Sequence, residues 1–211
     1  MIEAPSIKEV NKHREKNSTA ICCILFAPKF SKVGYEEIIK RFGYLDSRTA
    51  EKLNIYCVGY GAYWNNDFPD KEEIGIAKYE NGTEIPWQFS QIQFANFVTE
   101  FTKETKWSYS GGTELIVLNS NADFSSCINF KIDEMIKDKV INFPGELLEA
   151  LIKHSQSENN NVGKFSLNGV GKQSANVVVE SIFEFLPKAF KTIKNIWEKG
   201  KHYTLIDITK K

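Results

Sequence analysis

The chain is poor in the residues that build metal sites, disulfides and membrane anchors. It has four cysteines and three histidines; the cysteines form no C-x-x-C pair, and the histidines lie far apart in sequence. No apolar run approaches the ~20 residues that span a bilayer, and residues 1–17 lack the apolar core of a secretory signal. We therefore expect a cytoplasmic protein with buried, reduced thiols, no metal, no cofactor and no membrane contact.

Apolar and aromatic residues are abundant enough to build a core. The hydrophobic fraction is 42%, the charged fraction 26% and the aromatic fraction 13%, with 15 phenylalanines. These values are typical of a globular domain and argue against disorder. A length of 211 residues favours one domain with an appended element over two equal domains.

Charge is unevenly distributed along the chain. Residues 163–211 hold nine lysines against three glutamates and one aspartate, a net charge of +5, so residues 1–162 carry −5. A basic segment after an acidic body suggests a partner for that segment or an internal complement between the two. We predict an α/β body over 1–154, a polar linker over 155–162 and a basic helical segment over 163–211.

Hydrophobic patterning predicts strands alternating with helices. The apolar run at Thr19–Ala27 has the length and continuity of a central strand, in which adjacent Cys22 and Cys23 point to opposite faces. Further strands are predicted at 54–60, 114–119 and 127–132, with an edge strand at 203–208 and a hairpin whose turn contains Asn81 and Gly82. Helices are predicted at 33–42, at 91–106 and from Pro144 onwards, with Asp46 and Ser47 capping a further short turn.

The helix at 91–106 has the clearest signature. Ser90 and Gln93 form an S-x-x-Q capping box at its start. One apolar face then follows with helical spacing, formed by Phe94, Phe97, Val98 and Phe101.

This order of elements resembles the thioredoxin-like fold over residues 19–154. The resemblance implies a mixed central sheet that receives two final antiparallel strands and a closing helix. The chain departs from the family where its chemistry lies, because Pro28-Lys29-Phe30-Ser31 stands in place of the redox C-x-x-C. Thiol exchange needs an exposed, low-pKa thiol with a resolving partner, so we expect no such activity.

A glycine turn suggests a site for an anion. Gly169-Val170-Gly171-Lys172 opens directly into an apolar helix, which points backbone amides and the helix dipole at one spot. The stretch resembles the hairpin of helix-hairpin-helix DNA-binding proteins, which implies phosphate contacts by Gly169, Gly171, Lys172 and Ser174. It is not a Walker A loop, because Gln173 follows the lysine. The alternative is a plain junction between loop and helix.

Two further patterns suggest function. Glu114 and Lys131 on successive strands resemble the restriction-type nuclease core, which implies Mg²⁺-dependent chemistry, but Asn129 stands where a second carboxylate is required. Exposed strand charges are the alternative explanation. Separately, a loop carries four aromatic residues suited to anchoring a protein partner or to packing back on the sheet: Tyr60, Tyr63, Trp64 and Phe68.

Taken together, these patterns favour a non-catalytic binding or assembly subunit that acts through protein–protein contacts. No Ser-His-Asp or Cys-His arrangement is visible in local sequence. The absent catalytic set and the Lys-, Asn- and Ile-rich composition suit an accessory component of a bacterial defence-type complex. The alternatives are a nucleic-acid-binding protein that uses the glycine turn and a degenerate metal-dependent nuclease. The oligomeric state is left open.

Overall fold

The chain folds into nine strands and five α-helices over the residues that the structure describes. This computed structural model describes residues 1–16, 20–49, 52–62, 68–78, 82–118, 124, 127–156, 202–206 and 208–209. The strands are β1 (Ile2–Ala4), β2 (Ile21–Phe26), β3 (Leu53–Val58), β4 (Tyr60–Gly61), β5 (Glu72–Lys78), β6 (Glu84–Phe89), β7 (Glu114–Leu118), β8 (Cys127–Lys131) and β9 (Tyr203–Ile206). The helices are α1 (Ile7–Lys16), α2 (Phe42–Thr49), α3 (Gln91–Glu104), α4 (Ile132–Lys137) and α5 (Pro144–Gln156).

A six-stranded mixed sheet forms the centre of the molecule, in the order β1-β3-β2-β7-β8-β9. β3 pairs in parallel with both β1 and β2, and each of the next pairings, β2 with β7, β7 with β8 and β8 with β9, is antiparallel. All six residues of β2 are buried, as expected for a central strand covered on both faces. The predicted mixed central sheet flanked by helices is confirmed.

Helices cover both faces of this sheet. Successive residues of a strand point to opposite faces, and the Tyr56 hydroxyl in β3 lies 2.7 Å from the His13 ring in α1. The next residue, Cys57, points to the other face, where its sulfur lies 4.0 Å from that of Met1. The amino group of Met1 is paired in turn with Asp46 of α2. α1 contacts α3, and α2 is joined to α5 by the Arg48–Glu149 ion pair at 3.0 Å. The core therefore has two layers, one on each side of the sheet.

α3 follows its sequence signature. The Ser90 hydroxyl accepts the Gln93 amide at 3.0 Å, but the Gln93 side chain donates to the carbonyls of Ala4 and Pro5 instead of closing the capping box. Of the predicted apolar face, three phenylalanines are buried and Val98 is partly buried. The three phenylalanine rings surround Phe26, whose own ring stacks on Trp107 with centroids 4.5 Å apart. The helix is thereby fixed against the middle of the sheet.

A second, smaller sheet lies beside the first, with the order β4-β6-β5. β5 and β6 pair antiparallel from Glu72↔Phe89 to Lys78↔Glu84, which confirms the predicted hairpin; Asn81 lies outside the described residues. Trp87 packs against Phe42 of α2 with ring centroids 4.1 Å apart. Burial of these two rings attaches the hairpin to the body.

Several predicted boundaries differ from the structure. The region predicted as one helix over 33–42 is a π-helix at Lys32–Glu36 and a 3-10 turn at Ile39–Arg41, followed by α2. Asp46 and Ser47 lie inside α2, so their predicted capping role is wrong. β1 and α4 were not predicted. The α5 helix begins at Pro144 as expected, with Leu147, Leu148, Leu151 and Ile152 buried.

The end of the chain returns to the central sheet. β9 pairs antiparallel with β8 from Cys127↔Ile206 to Phe130↔Tyr203, which confirms the predicted edge strand. The fully buried His202 ring lies 2.7 Å from the Asp138 carboxylate. Residues 157–201, which hold most of the predicted linker and basic helical segment, lie outside the described residues. In the described parts of the chain, no helix is both long and apolar enough to cross a membrane.

Candidate functional site

The loop after β2, residues 28–31, is held in place by hydrogen bonds. A turn closes it, since the Ser31 amide donates to the Pro28 carbonyl at 2.8 Å. The Ser31 hydroxyl lies 2.9 Å from that of Thr113, which precedes β7, and it accepts the Gly34 amide at 3.1 Å as the cap of the π-helix. π-helical turns are rare and frequently occur at functional sites. The loop is therefore held from both sides.

Gly34 allows this close approach. A Cβ at this position would lie 2.9 Å from the Ala27 side chain and 3.0 Å from the Thr113 hydroxyl. Both distances are too short for carbon without movement of the neighbours. Glycine is thus required for the π-helix to pack on the end of β2.

The tip of this loop presents an aromatic ring to solvent. Phe30 is 77% exposed, more than any other large apolar side chain in the described residues. The preceding Lys29 forms an ion pair with Glu72 on β5. The ammonium groups of Lys29 and Lys40 lie 5.9 and 5.4 Å from the centroid of the Tyr35 ring. Lys29, the residue before the exposed ring, is therefore held by an ion pair and by a contact with the Tyr35 ring.

Cysteine chemistry is absent from this loop. All four cysteines are free and buried, as the sequence predicts. Burial raises the pKa of the Cys22 and Cys57 thiols to about 12 and raises that of Cys23 well above its usual value. Such thiols are poor nucleophiles because the thiolate is the reactive form.

Glu114 lies beneath the loop that leads into β7 and is 1% exposed. One carboxylate oxygen accepts the Trp107 ring N–H at 3.2 Å and the Asn129 amide at 2.8 Å, and the other accepts the Ser110 backbone N–H at 2.8 Å. A buried carboxylate is costly unless hydrogen bonds replace its water. Glu114 thus organises residues 107–113.

This arrangement bears on the predicted nuclease residues. The register pairs Glu114 with Lys131 across β7 and β8, so the two residues lie opposite each other on adjacent strands. Asn129 donates to Glu114 where a second carboxylate would be needed. Within the described part of the chain, no group of three or more His, Cys, Asp and Glu side chains is placed to hold a metal ion. The geometry supports a structural role for Glu114.

A cleft of about 320 Å³ opens above this network. It lies between the loop before β7 and the start of α4, and its lining residues are Ser110, Gly112, Thr113, Lys131, Asp133 and Glu134. Asp133 accepts the Thr113 backbone N–H at 2.8 Å, which ties α4 to the loop. The sequence analysis missed this cleft, because α4 and the loop meet only through tertiary contacts.

The structure places the described residues of the aromatic loop in different environments. Tyr60 is fully buried, its hydroxyl donates to the Ala27 carbonyl at 2.6 Å, and its ring centroid lies 4.8 Å from that of Phe89. It therefore belongs to the core and offers no surface to a partner. Phe68 is partly buried, and Tyr63 and Trp64 lie outside the described residues.

Asp70, at the end of the same loop, caps α3. Its carboxylate accepts the Ser90 hydroxyl at 2.6 Å and the Ile92 amide at 2.9 Å. Burial alone would raise the pKa of Asp70, but these hydrogen bonds outweigh it and hold the pKa below its usual value.

The phosphate-binding prediction falls on residues outside the described set: Gly169, Gly171, Lys172 and Ser174. It stays a prediction from sequence. Comparison of the chain with protein-family models, curated proteins and solved structures finds no match.

Proposed function

We propose that the protein is a non-catalytic binding or assembly subunit that contacts a protein partner through the loop Pro28–Ser31. The observation that carries the proposal is the exposed Phe30 ring at the end of the central strand β2. Aromatic side chains are enriched among the residues that dominate binding energy at protein interfaces. The four buried cysteines support binding over thiol chemistry at this place.

We further propose that the body has a thioredoxin-like fold without redox residues. The parallel pair β2 and β3, the two antiparallel strands β7 and β8 and the closing helix α5 support this assignment. They follow the order that the sequence resemblance implies. In such a body the loop after β2 lies at the carboxyl end of a central strand, where the sheet and its helices hold it firmly.

The fixed geometry of the loop favours binding. Ser31 is hydrogen-bonded to Pro28, Gly34 and Thr113, so Phe30 is attached to an ordered turn. A preorganised contact loses less conformational entropy on association than a mobile one. The ring can therefore contribute most of its burial energy to the complex.

The test is partner capture from an extract of the source cells by the full chain and by Phe30→Asp. Loss of the captured protein is expected with Phe30→Asp, because a charge in an apolar contact is left without its water. Phe143→Asp is the matched control, since Phe143 is also exposed, at 42%, and lies outside the loop. Capture should weaken far less with salt than binding to nucleic-acid phosphates would, because the Phe30 contact is apolar. If Phe30→Asp captures as much of the protein as Phe143→Asp does, the proposal is contradicted.

Nucleic-acid binding is a second candidate, supported by the +5 charge of residues 163–211 and by the Gly169–Lys172 pattern. Contacts to phosphate release counterions, so binding should weaken steeply as salt rises. A DNA titration at low and moderate salt should show this for the wild type, with loss in a Gly171→Asp, Lys172→Glu variant. Absence of binding by the wild type would leave the protein partner as the working function.

A further inference from the structure

We propose that the cleft above Glu114 receives the cationic side chain, lysine or arginine, of the same protein partner that contacts Phe30. The inference rests on the proposed function and adds the chemistry of the partner: a basic residue beside an apolar one. The cleft is defined by Ser110, Gly112, Thr113, Lys131, Asp133 and Glu134.

Negative charge predominates around this cleft. Asp133 and Glu134 line it, and the buried carboxylate of Glu114 lies beneath. Two ammonium groups offset them in part: Lys131 opposite Glu114, and Lys137, which lies 3.6 Å from Glu134. Three carboxylates against two ammonium groups leave an excess that favours a cation.

Tyr109 lies close to two of these carboxylates. Tyr109 donates its hydroxyl proton to the Gly112 carbonyl at 2.8 Å. Burial, and then the negative charges of Glu114 and Asp133, raise the pKa of Tyr109 well above its usual value. Both carboxylates therefore act on the loop that forms one wall of the cleft.

One oxygen of the Asp133 carboxylate accepts no hydrogen bond. Its Oδ2 accepts the Thr113 N–H at 2.8 Å, but its Oδ1 is buried and has no hydrogen-bond partner. A buried carboxylate oxygen without a donor is costly, and a lysine or arginine side chain carries only donors. Insertion of such a side chain would supply this donor once the Asp133 carboxylate turns its Oδ1 towards the cleft.

The cleft and the Phe30 loop are neighbours in the fold. Thr113 lines the cleft, and its hydroxyl lies 2.9 Å from that of Ser31, the residue after Phe30. A volume of about 320 Å³ is at the small end for ligand pockets and suits one side chain. Continuity with the loop therefore favours a side chain of the partner over a free small molecule.

The first test uses N-acetyl-lysine N-methylamide as a probe, titrated into the full chain with observation of backbone amides by NMR. Saturable shifts are expected at Thr113 and Asp133. The Nε-acetylated probe has the same backbone without the charge. Its affinity should be lower by at least about tenfold, because the charged pair is lost. An Asp133→Asn, Glu134→Gln variant should lose the shifts. Glu9→Gln, Glu15→Gln, which removes two negative charges from exposed positions of α1, should keep them.

The second test is partner capture by the same two variants. Capture should fall with Asp133→Asn, Glu134→Gln and persist with the α1 control. The inference is overturned if the lysine probe causes no NMR shifts, or if the acetylated probe causes the same shifts. It is also overturned if Asp133→Asn, Glu134→Gln loses probe binding but captures the partner as well as the wild type does, since a small molecule would then be the occupant. The probe titration needs no partner, so its result stays distinct from that of Phe30→Asp.

Discussion

Replacement of Glu114 is the sharpest test of how the region before β7 is built. Glu114→Ala removes the acceptor from two buried donors, the Trp107 ring N–H and the Asn129 amide. The third donor, Ser110 N–H, belongs to an exposed residue and can donate to water instead. At about 1–3 kcal/mol for each buried donor left unpaired, the expected loss in the free energy of unfolding is about 2–6 kcal/mol. That is a large share of the stability of a typical domain.

Glu114→Gln should cost less. If the glutamine oxygen takes the position that serves Trp107 and Asn129, both of those bonds persist. The new amide group then faces the Ser110 N–H, so one hydrogen bond is lost and one buried donor has no acceptor. The expected cost is about 1–3 kcal/mol. We predict that Glu114→Ala destabilises the protein about twice as much as Glu114→Gln, because it leaves two buried donors unpaired instead of one.

The assay is urea unfolding followed by tryptophan fluorescence and by circular dichroism. The exposed Glu104→Ala at the end of α3 is the control and should change the free energy by no more than about 0.5 kcal/mol. Equal costs for Glu114→Ala and Glu114→Gln, or a cost below about 1 kcal/mol for alanine, would refute the proposed network. Mg²⁺-dependent stabilisation of the wild type, absent in Glu114→Ala, would instead restore the metal hypothesis.

Three further predictions concern the cap of α3, the thiols and two glycines. The folded-state pKa of Asp70 is lowered, so its stabilising effect is present above the ordinary aspartate pKa of about 3.9 and is lost as pH falls through the lowered value. The difference in unfolding free energy between wild type and Asp70→Asn should therefore be constant at neutral pH and shrink in acid; a difference that grows in acid would contradict the assignment. The four buried cysteines should be inert to a disulfide reagent at pH 8 in the folded protein and should all react in urea, whereas rapid reaction of a native thiol would show an exposed site. Gly59 has φ +82°, and a Cβ there would lie 2.8 Å from the Phe94 Cβ, so Gly59→Ala should destabilise by at least about 1 kcal/mol. Gly43 lies in α2, and a Cβ built there would have nothing within 4 Å, so Gly43→Ala should stabilise the folded protein by about 0.5–1 kcal/mol. Equal shifts in melting temperature for the two alanine variants would show that the backbone at Gly59 is not constrained.

Local patterning was enough to find most of the fold. The continuous apolar run around β2, the capped apolar face of α3 and the proline start of α5 are signals within about 15 residues of sequence. The structure places each of these elements at the predicted position. When one face of a helix or strand is buried, apolar residues recur in the sequence with the period of that element. The type and position of the element can therefore be predicted from the sequence.

The missed elements are those that exist only through pairing with distant residues. β1 has three residues and is defined by its parallel register with β3, from Ile2↔Tyr56 to Ala4↔Val58. α4 has six residues, too few to show helical periodicity, and begins where Ile132 N–H donates to the Thr113 carbonyl. Neither partner can be identified from the local sequence.

The sequence by itself determined the α/β class, the central strand, the main helices and the absence of a C-x-x-C motif. Only the tertiary structure decided which side chains meet: Ser31 with Thr113 across 82 positions, and Glu114 with Asn129. It also moved Tyr60 from a candidate surface to the core and left Phe30 as the exposed ring. The physical reason is that periodicity encodes which face of an element is apolar. Hydrogen bonds between polar side chains depend on distances that are fixed only when the elements pack.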